Sequence, residues 1–292
     1  MKKNKIVTSV YAIWAITFIV FPIILILGYG FTKSSAGKVV FDLSGFKDFF
    51  CNPIYVTVLL RSLFLAFIAT VICLLLGYPM ALILSKMKPK FKSMASLLFV
   101  LPMWMNFLIR TYGWLSLLEN KGLINMVYGG LREFLMGIFP SVSAWPEYLP
   151  LLYNSGAVVL GMVYDFLPFM VFPIFNALDK LDKSMLEAAG DLGANKYQSF
   201  LKVTLPLSMP GVISGVSMVF MPAVTTFIIS SLLGGGHVML IGDIIENQFL
   251  GVGDWHFGSA ISVVVIAIIL LIMGITSKYE AESDGEGGGG LW

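Results

Sequence analysis

Long apolar runs separated by short polar segments dominate the chain. A helix that crosses the hydrocarbon core of a bilayer needs about 20 mostly apolar residues. The runs of sufficient length lie at about Ile6–Phe31, Tyr55–Leu84, Met94–Leu118, Leu152–Leu178, Leu207–Leu233 and Phe257–Thr276. The pattern therefore predicts an all-α membrane protein with six transmembrane helices.

The composition agrees with this prediction. Hydrophobic residues make up 58% of the 292 residues, charged residues make up 12%, and the mean hydropathy is +0.87. Soluble domains carry about 25% charged residues, so lipid is the expected solvent. The first run follows Met-Lys-Lys-Asn-Lys, as in a signal peptide, but it is too long for the core of one and no clear cleavage site follows. We therefore expect a retained helix.

The distribution of lysine and arginine predicts the orientation, because cytoplasmic loops are enriched in these residues. With the amino terminus in the cytoplasm, the cytoplasmic side holds Lys2, Lys3, Lys5, Lys86, Lys88, Lys90, Lys92, Lys180, Lys183, Lys196, Lys202 and Lys278. The opposite side holds only Lys33, Lys38, Lys47, Lys121 and Arg132. This bias predicts that both termini, and the polar segment between the fourth and fifth runs, are cytoplasmic.

The segments predicted on the opposite side are Thr32–Ile54, Glu119–Leu151 and Gly234–His256. Pro146 and Pro150 argue against a regular helix at the end of the middle segment. The third segment is acidic, and its carboxylates either attract a cation, contact an extracytoplasmic protein or form a solvated loop; they are Asp243, Glu246 and Asp254. Residues 1–278 are expected to form one domain, and the Gly-rich acidic tail over residues 279–292 is expected to be disordered.

The polar segment Ser184–Leu207 has the pattern of two short helices joined by a turn. Ser184 and Glu187 fit a capping box at a helix start, and Gly193 suits the left-handed conformation in which many helices end. Asn195, with Gln198 three residues later, is a second candidate cap. The segment either rests on lipid as an amphipathic loop or serves as a docking element.

The spacing of its residues favours docking. Glu187-Ala188-Ala189, Gly193, Val203 and Leu205-Pro206 resemble the EAA motif of ABC importer permeases, E-A-A-x3-G-x9-I-x-L-P, with Val203 in place of isoleucine. Further stretches resemble the B-type permease subunits of spermidine/putrescine importers. These are LGYPMALIL from Leu76, LPMWMNFLIRTYGW from Leu101, NKGLIN from Asn120, LDKSMLEAAGDLGA from Leu181 and DWHFGSA from Asp254.

This resemblance implies a type I importer permease fold in the cytoplasmic membrane, which works by alternating access with a second homologous permease subunit. It implies that a cytoplasmic ATPase dimer binds ATP and Mg²⁺, and that an extracytoplasmic binding protein delivers the substrate. Residues 179–206 would form the coupling loop, with docking residues Glu187, Ala188, Ala189, Gly193, Leu205 and Pro206. The chain itself has no G-x-x-x-x-G-K-[ST] loop, so we expect it to be no enzyme and to hold no cofactor.

Ionisable residues within the spans are functional candidates, because a buried charge is costly in lipid. Carboxylates and aromatic faces suit a polyamine cation, and the candidate pathway residues are Trp104, Asn106, Tyr164 and Asp165. Asp165 could instead pair with another helix, and Asn106 could serve only as a helix contact. Arg61 is expected to reach the interface, and Arg110 is expected to have a structural role.

Other functions stay open at this point. A permease of the same family for another solute is the nearest alternative, and a polytopic membrane enzyme or a channel is more distant. The two histidines, His237 and His256, argue against a histidine-built metal site. Cys51 and Cys73 have neither metal-ligand nor redox spacing.

Overall fold

The computed structural model describes the backbone of residues 11–35, 38–139 and 144–287. Its helices are α1 Tyr11–Gly30, α2 Ser44–Cys51, α3 Pro53–Lys86, α4 Pro89–Trp104, α5 Phe107–Leu118, α6 Leu123–Met136, α7 Ser155–Asp179, α8 Lys183–Asp191, α9 Lys196–Thr225, α10 Ile228–Gly234, α11 Ile241–Glu246 and α12 Trp255–Gly287. Two short strands, β1 Thr32–Ser35 and β2 Lys38–Phe41, pair antiparallel. The predicted helical class is confirmed.

Within the described ranges, five helices are long and apolar enough to cross a membrane: α1, α3, α7, α9 and the first part of α12. A sixth span results when α4 is joined to the helical stretch Phe107–Met136 that follows it. The described residues thus hold five spans, or six if the bent pair is one span, and the second count equals the six apolar runs of the sequence. The first five residues of the predicted first span, 6–10, lie outside the described residues.

The third predicted span, Met94–Leu118, is not one straight helix. The axes of α4 and of the helical stretch after it meet at 90°. Met105 has an extended backbone with ψ 145°, and the side chain of Asn106 accepts a hydrogen bond of 2.8 Å from the Leu108 N–H. Asparagine is a favoured N-cap, so Asn106 starts a new helix within an otherwise apolar run.

The fifth span is also placed differently from the prediction Leu207–Leu233. Helix α9 begins at Lys196 and ends at Thr225, and α10 is a separate short helix. Pro206 lies inside α9 just after a π turn, Phe200–Thr204. Proline disrupts a regular α-helix, and a local π turn is one way to satisfy the freed backbone groups. The second predicted short helix therefore merges with the span.

The chain folds as two compact units, one up to Leu59 with Ile241–Ile272, the other from Leu60 to Leu240 and from Met273 onward. In the second unit, α7 packs along α9 and against α10. A Cβ at Gly211 of α9 would come within 2.6 Å of the Pro173 carbonyl oxygen, so the two backbones approach closely, as small residues permit in membrane helices. The fully buried side chains here include Val158, Met162, Met170, Val171, Ile174, Val219, Ile229 and Leu233.

In the first unit, the β-hairpin and α2 follow α1. The rings of Phe31 and Phe46 lie 5.0 Å apart, and Phe49 of α2 is fully buried. Tyr55 at the start of α3 packs its ring edge-on to Phe257 of α12, at 5.1 Å. The strands are only four residues each, which is too short for the hydropathy pattern to reveal them.

The described residues 144–154, which lead into α7, are held by side chains of α6. The Asn125 amide donates to the Leu149 carbonyl at 3.1 Å, and its oxygen accepts from the Leu149 N–H at 2.8 Å. Tyr128 donates to the carbonyl of Pro146. The backbone around Pro146 and Pro150 is irregular, as their fixed φ angles predict.

At the carboxyl end, α12 continues to Gly287. The composition, in contrast, predicts a disordered tail from residue 279. Extending an existing helix costs less than starting one, and the tail directly follows a membrane helix. Residues 288–292 lie outside the described residues.

Candidate functional site

A polar hairpin, formed by α8, the turn after it and the first turn of α9 (residues 183–199), carries most of the EAA pattern. Helix α8 begins one residue earlier than Ser184, and its N-cap is Asp182. The predicted Ser184–Glu187 capping box is therefore wrong, because the Asp182 carboxylate already accepts the Ser184 N–H at 2.9 Å. This hydrogen bond lowers the pKa of Asp182 below its ordinary value.

Gly193 ends α8 as predicted. Its φ is +82°, in the left-handed region that favours glycine. The Ala194 N–H donates to the Ala189 carbonyl at 3.0 Å, and the Gly193 N–H donates to the Gly190 carbonyl at 2.9 Å. These two bonds make a Schellman motif, so the residue sets the reversal of the hairpin.

The second predicted cap is also confirmed. Asn195 accepts the Gln198 N–H at 2.9 Å, and the Gln198 side chain accepts the Asn195 N–H at 3.0 Å. This reciprocal capping box starts α9. Because both ends of the turn are fixed, the hairpin has a defined shape.

The hairpin presents its EAA residues outward. Glu187 and Ala188 are exposed, and Ala189 is half-buried. The apolar side chains of Leu192 and Tyr197 are 90% and 71% exposed. Exposed apolar side chains on such a hairpin can contact either lipid or a partner protein.

The last two residues of the motif lie apart from the hairpin. Leu205 is half-buried and Pro206 is exposed, and both belong to α9 just after its π turn. Phe200 in that turn packs edge-on to Tyr78 of α3, at 5.7 Å. Tyr78 also shares a hydrogen bond of 2.8 Å with Ser208. Helix α9 is therefore connected to α3 directly after the hairpin.

A cavity of about 800 Å³ lies between the hairpin, the end of α3, the start of α4 and the end of α7. Its rim carries an ion pair between Lys92 of α4 and Asp179 of α7. The Lys92 ammonium also lies 5.8 Å from the Phe175 ring centroid. The pair joins the connection between α3 and α4 to the helix that leads into the hairpin.

The predicted pathway residues fall into two places. Trp104 and Asn106 flank the 90° bend, where Trp104 is 75% exposed and Asn106 caps α5. Tyr164 and Asp165 lie on α7. The structure therefore gives Asn106 a local structural role, and the pathway role of all four residues stays a prediction.

Asp165 pairs with Arg110 of α5. Arg110 Nη1 and Asp165 Oδ1 are 3.1 Å apart, and the two side chains are only 8% and 3% exposed. Pairing lowers the cost of burying each charge, so Arg110 has the structural contact that the sequence predicts. One turn after Arg110, Trp114 packs its ring edge-on to Tyr164, at 5.3 Å.

The acidic candidates of the third connecting segment lie in the first unit. Asp243 and Glu246 are half-buried on α11. Asp254 caps the start of α12 through the Phe257 N–H at 3.0 Å. Asp254 also lines a cavity of about 780 Å³, whereas Asp243 and Glu246 are not among its lining residues.

Sequence reasoning missed other groups of that cavity, because they lie far apart in the chain. Its charged or titratable lining includes Lys33, Asp42, Asp48 and His256. Both Asp42 oxygens accept hydrogen bonds from Ser44, and these bonds lower the pKa of Asp42. The Asp42-x-Ser44 spacing is a helix-start signal that was present in the sequence.

Comparison with known proteins identifies the family. Residues 73–279 match the family described as "Binding-protein-dependent transport system inner membrane component". The spermidine/putrescine transport system permease protein PotB of Haemophilus influenzae is 39% identical over 275 residues, 93% of this chain and 92% of that protein. Its namesake from Escherichia coli is 41% identical over 265 residues, 89% and 92% of the two chains.

The fold agrees with the family. A chain in the crystal structure of a bacterial alginate ABC transporter, in complex with an alginate pentasaccharide-bound periplasmic protein, superposes with a TM-score of 0.73. The match covers 94% of this chain and 93% of that one at 15% identity, so it supports the fold alone. On the family match and on the extent of its similarity to both relatives, this multi-pass membrane chain belongs to the inner membrane components of binding-protein-dependent transport systems.

Proposed function

We propose that the chain is a permease subunit of an ATP-driven importer of spermidine and putrescine. The assignment of the cargo rests on the identity of 39–41% to relatives named as spermidine/putrescine permeases, over 92% of their length. The chain provides the path through the membrane by alternating access, and its partners provide the energy and the delivery.

The polar hairpin docks on a cytoplasmic ATPase. The exposed Glu187 offers a carboxylate to a basic or amide group, and the small Ala188 allows a close approach. Leu192, at 90% exposure, offers apolar area. The fixed turn at Gly193 presents these groups as one rigid surface, which lowers the entropy cost of binding. The ATPase pair binds ATP and Mg²⁺, and Leu205 and Pro206 start the helix that receives the motion.

A second homologous permease subunit and an extracytoplasmic binding protein complete the transporter. The alginate transporter provides a structural parallel, because its structure includes a periplasmic protein. The excess of lysine around the hairpin favours a cytoplasmic location for the hairpin and for both termini. Asp243, Glu246 and Asp254 then face the side from which cargo and binding protein arrive.

The nearest alternative is another small solute. The 780 Å³ cavity is lined by three carboxylates, those of Asp42, Asp48 and Asp254, and by one lysine, Lys33, and this excess of negative charge favours a cation over an oxyanion. Trp104 and Tyr164 add aromatic faces that attract ammonium groups.

Uptake by the reconstituted complex tests the cargo. Proteoliposomes hold this chain, its partner permease and the ATPase, with ATP inside and the binding protein outside. We expect accumulation of labelled spermidine that unlabelled spermidine and putrescine inhibit and that thiamine and sulfate do not. Uptake that only an unrelated solute inhibits contradicts the cargo assignment.

Glu187→Lys tests the docking surface. We expect it to weaken ATPase binding by about tenfold or more, because it replaces a central charged contact with its opposite. Co-purification and substrate-stimulated ATP hydrolysis measure the effect. Glu133→Lys is the matched control, since Glu133 is an exposed residue of α6 away from the hairpin. Normal assembly and stimulated hydrolysis in Glu187→Lys would exclude the docking role.

A further inference from the structure

The Arg110–Asp165 pair is incompletely satisfied. Although Nη1 and Oδ1 are 3.1 Å apart, Arg110 Nε and Asp165 Oδ1 are buried without a hydrogen-bond partner. A guanidinium can bind a carboxylate through two parallel hydrogen bonds, and that bidentate arrangement is the strong one. Here the contact is a single one, so the buried carboxylate keeps unused capacity to accept hydrogen bonds.

Each member of the pair has a partly accessible aromatic residue close to it on its own helix. Trp114 is half-buried, Tyr164 is 38% exposed, and their rings meet edge-on at 5.3 Å. Tyr164 directly precedes Asp165, and Trp114 is one helical turn after Arg110. An ammonium group that reaches these rings is attracted by their faces, one residue along α7 from Asp165.

Charge limits what can replace Arg110. If the guanidinium leaves Asp165 with no substitute, a bare carboxylate stays in a buried site, which is strongly unfavourable. A primary ammonium group carries the same charge and three donors, so it can satisfy the carboxylate. A neutral or anionic solute cannot make this exchange.

We propose that Arg110 is a replaceable counter-ion of Asp165, and that an ammonium group of the cargo takes its place during transport. This inference rests on the proposed polyamine cargo and adds a mechanism to it. The exchange breaks a contact between α5, which starts at the 90° bend, and α7, which leads into the polar hairpin. Cargo therefore favours the released arrangement, because it interacts with Asp165 only there.

Neutral variants of the reconstituted complex separate this exchange from a purely structural pair. Arg110→Gln/Asp165→Asn removes both charges and keeps similar shapes. We expect this double variant to assemble and to raise the spermidine concentration for half-maximal uptake by about tenfold or more, since a charge-assisted contact with cargo is lost. Arg61→Gln is the matched control, because Arg61 is an exposed arginine of α3, and it should leave that concentration unchanged.

The wild-type complex supplies a second measurement that does not depend on a variant's folding. A membrane-permeant, arginine-selective dicarbonyl reagent is applied with and without spermidine, and modification of Arg110 is read by mass spectrometry. We expect spermidine to increase modification, because the displaced side chain loses its buried position. The Arg61 modification serves as the internal reference.

The outcomes distinguish the two proposals. A half-saturation concentration in the double variant equal to that of the wild type overturns the exchange, and so does Arg110 modification that spermidine leaves unchanged. In both cases the proposed polyamine uptake still stands. Absence of polyamine uptake in the wild-type complex overturns the proposed function and the exchange with it.

Discussion

At the scale of single residues, Gly193 sets the turn of the polar hairpin, and Asp165 carries the negative charge of the buried ion pair in the membrane. Gly193 is the residue type that a left-handed helix end requires, so its role follows from local rules. The sequence shows Asp165 as a charge in an apolar run, but it does not show which residue pairs with it. Arg110 lies 55 positions earlier in the chain, and only the packing of α5 on α7 brings the two together.

Gly193→Ala tests the turn. Because φ is +82°, a side chain there strains the backbone by about 1 kcal/mol. We expect faster hydrogen exchange at the Ala194 amide, which donates across the turn, together with weaker stimulated ATP hydrolysis. The matched control is Gly190→Ala, where a Cβ meets no atom within 4 Å. That change lies within α8 and should slow exchange, since alanine favours helix over glycine. Equal effects of both substitutions would contradict the strained turn.

Asp182 makes the start of α8 sensitive to acid. Its pKa lies below the ordinary 3.8 because the Ser184 N–H binds the charged carboxylate. A lowered folded-state pKa gives a stabilisation that is present above the unfolded pKa and is lost as the pH falls through the folded one. We expect protection of the Ser184 amide, corrected for intrinsic exchange, to fall with pH below about 4. Asp182→Asn keeps a neutral cap and should remove this dependence; a dependence that persists in Asp182→Asn would assign it to another group.

At the scale of elements, the apolar runs located the spans but not their interruptions. The hydropathy pattern does not reveal a helix break at an apolar residue such as Met105. It also does not reveal that a π turn lets α9 continue through Pro206. In both places a helix cap or a local backbone conformation determines where the helix begins or ends, while the apolar pattern continues unchanged. The polar hairpin was better predicted, because Asn195, Gln198 and Gly193 are themselves the capping residues.

Asn106→Ala tests the break between α4 and α5. The loss of the N-cap bond to Leu108 should lower stability by about 1 kcal/mol. Asn106→Ser, which keeps a capping oxygen, should stay near the wild type. Thermal unfolding of the purified complex measures both, and spermidine uptake is followed in parallel. If Asn106→Ser unfolds like the wild type but transports poorly, Asn106 contacts cargo in addition to capping the helix.

At the scale of the whole molecule, hydropathy and charge alone predicted a multi-pass helical membrane protein, and the family match confirmed it. The cavities were not predictable, since their linings join residues from distant parts of the chain: Lys33 with Asp254 in one, Lys92 with Asp179 in another. The orientation in the membrane stays a prediction from lysine and arginine counts.

Thiol labelling tests that orientation. Cys51 is exposed and lies in a segment predicted to face outward, whereas Cys73 is fully buried. A membrane-impermeant maleimide should therefore label Cys51 in intact spheroplasts. In a Cys51→Ser background, Tyr197→Cys on the polar hairpin should be labelled only after the membrane is opened. Labelling of Tyr197→Cys in intact spheroplasts would contradict the predicted orientation and indicate the opposite one.

The exposed Leu192 has a consequence for the strength of assembly. Full burial of a leucine side chain is worth about 1.5–3 kcal/mol, and 90% of this side chain faces outward in the isolated chain. At about 1.4 kcal/mol per factor of ten, covering Leu192 in the proposed contact with the ATPase would contribute one to two orders of magnitude to the Kd. The lifetime of that proposed contact therefore depends strongly on one side chain at a variable position of the EAA motif, directly before Gly193.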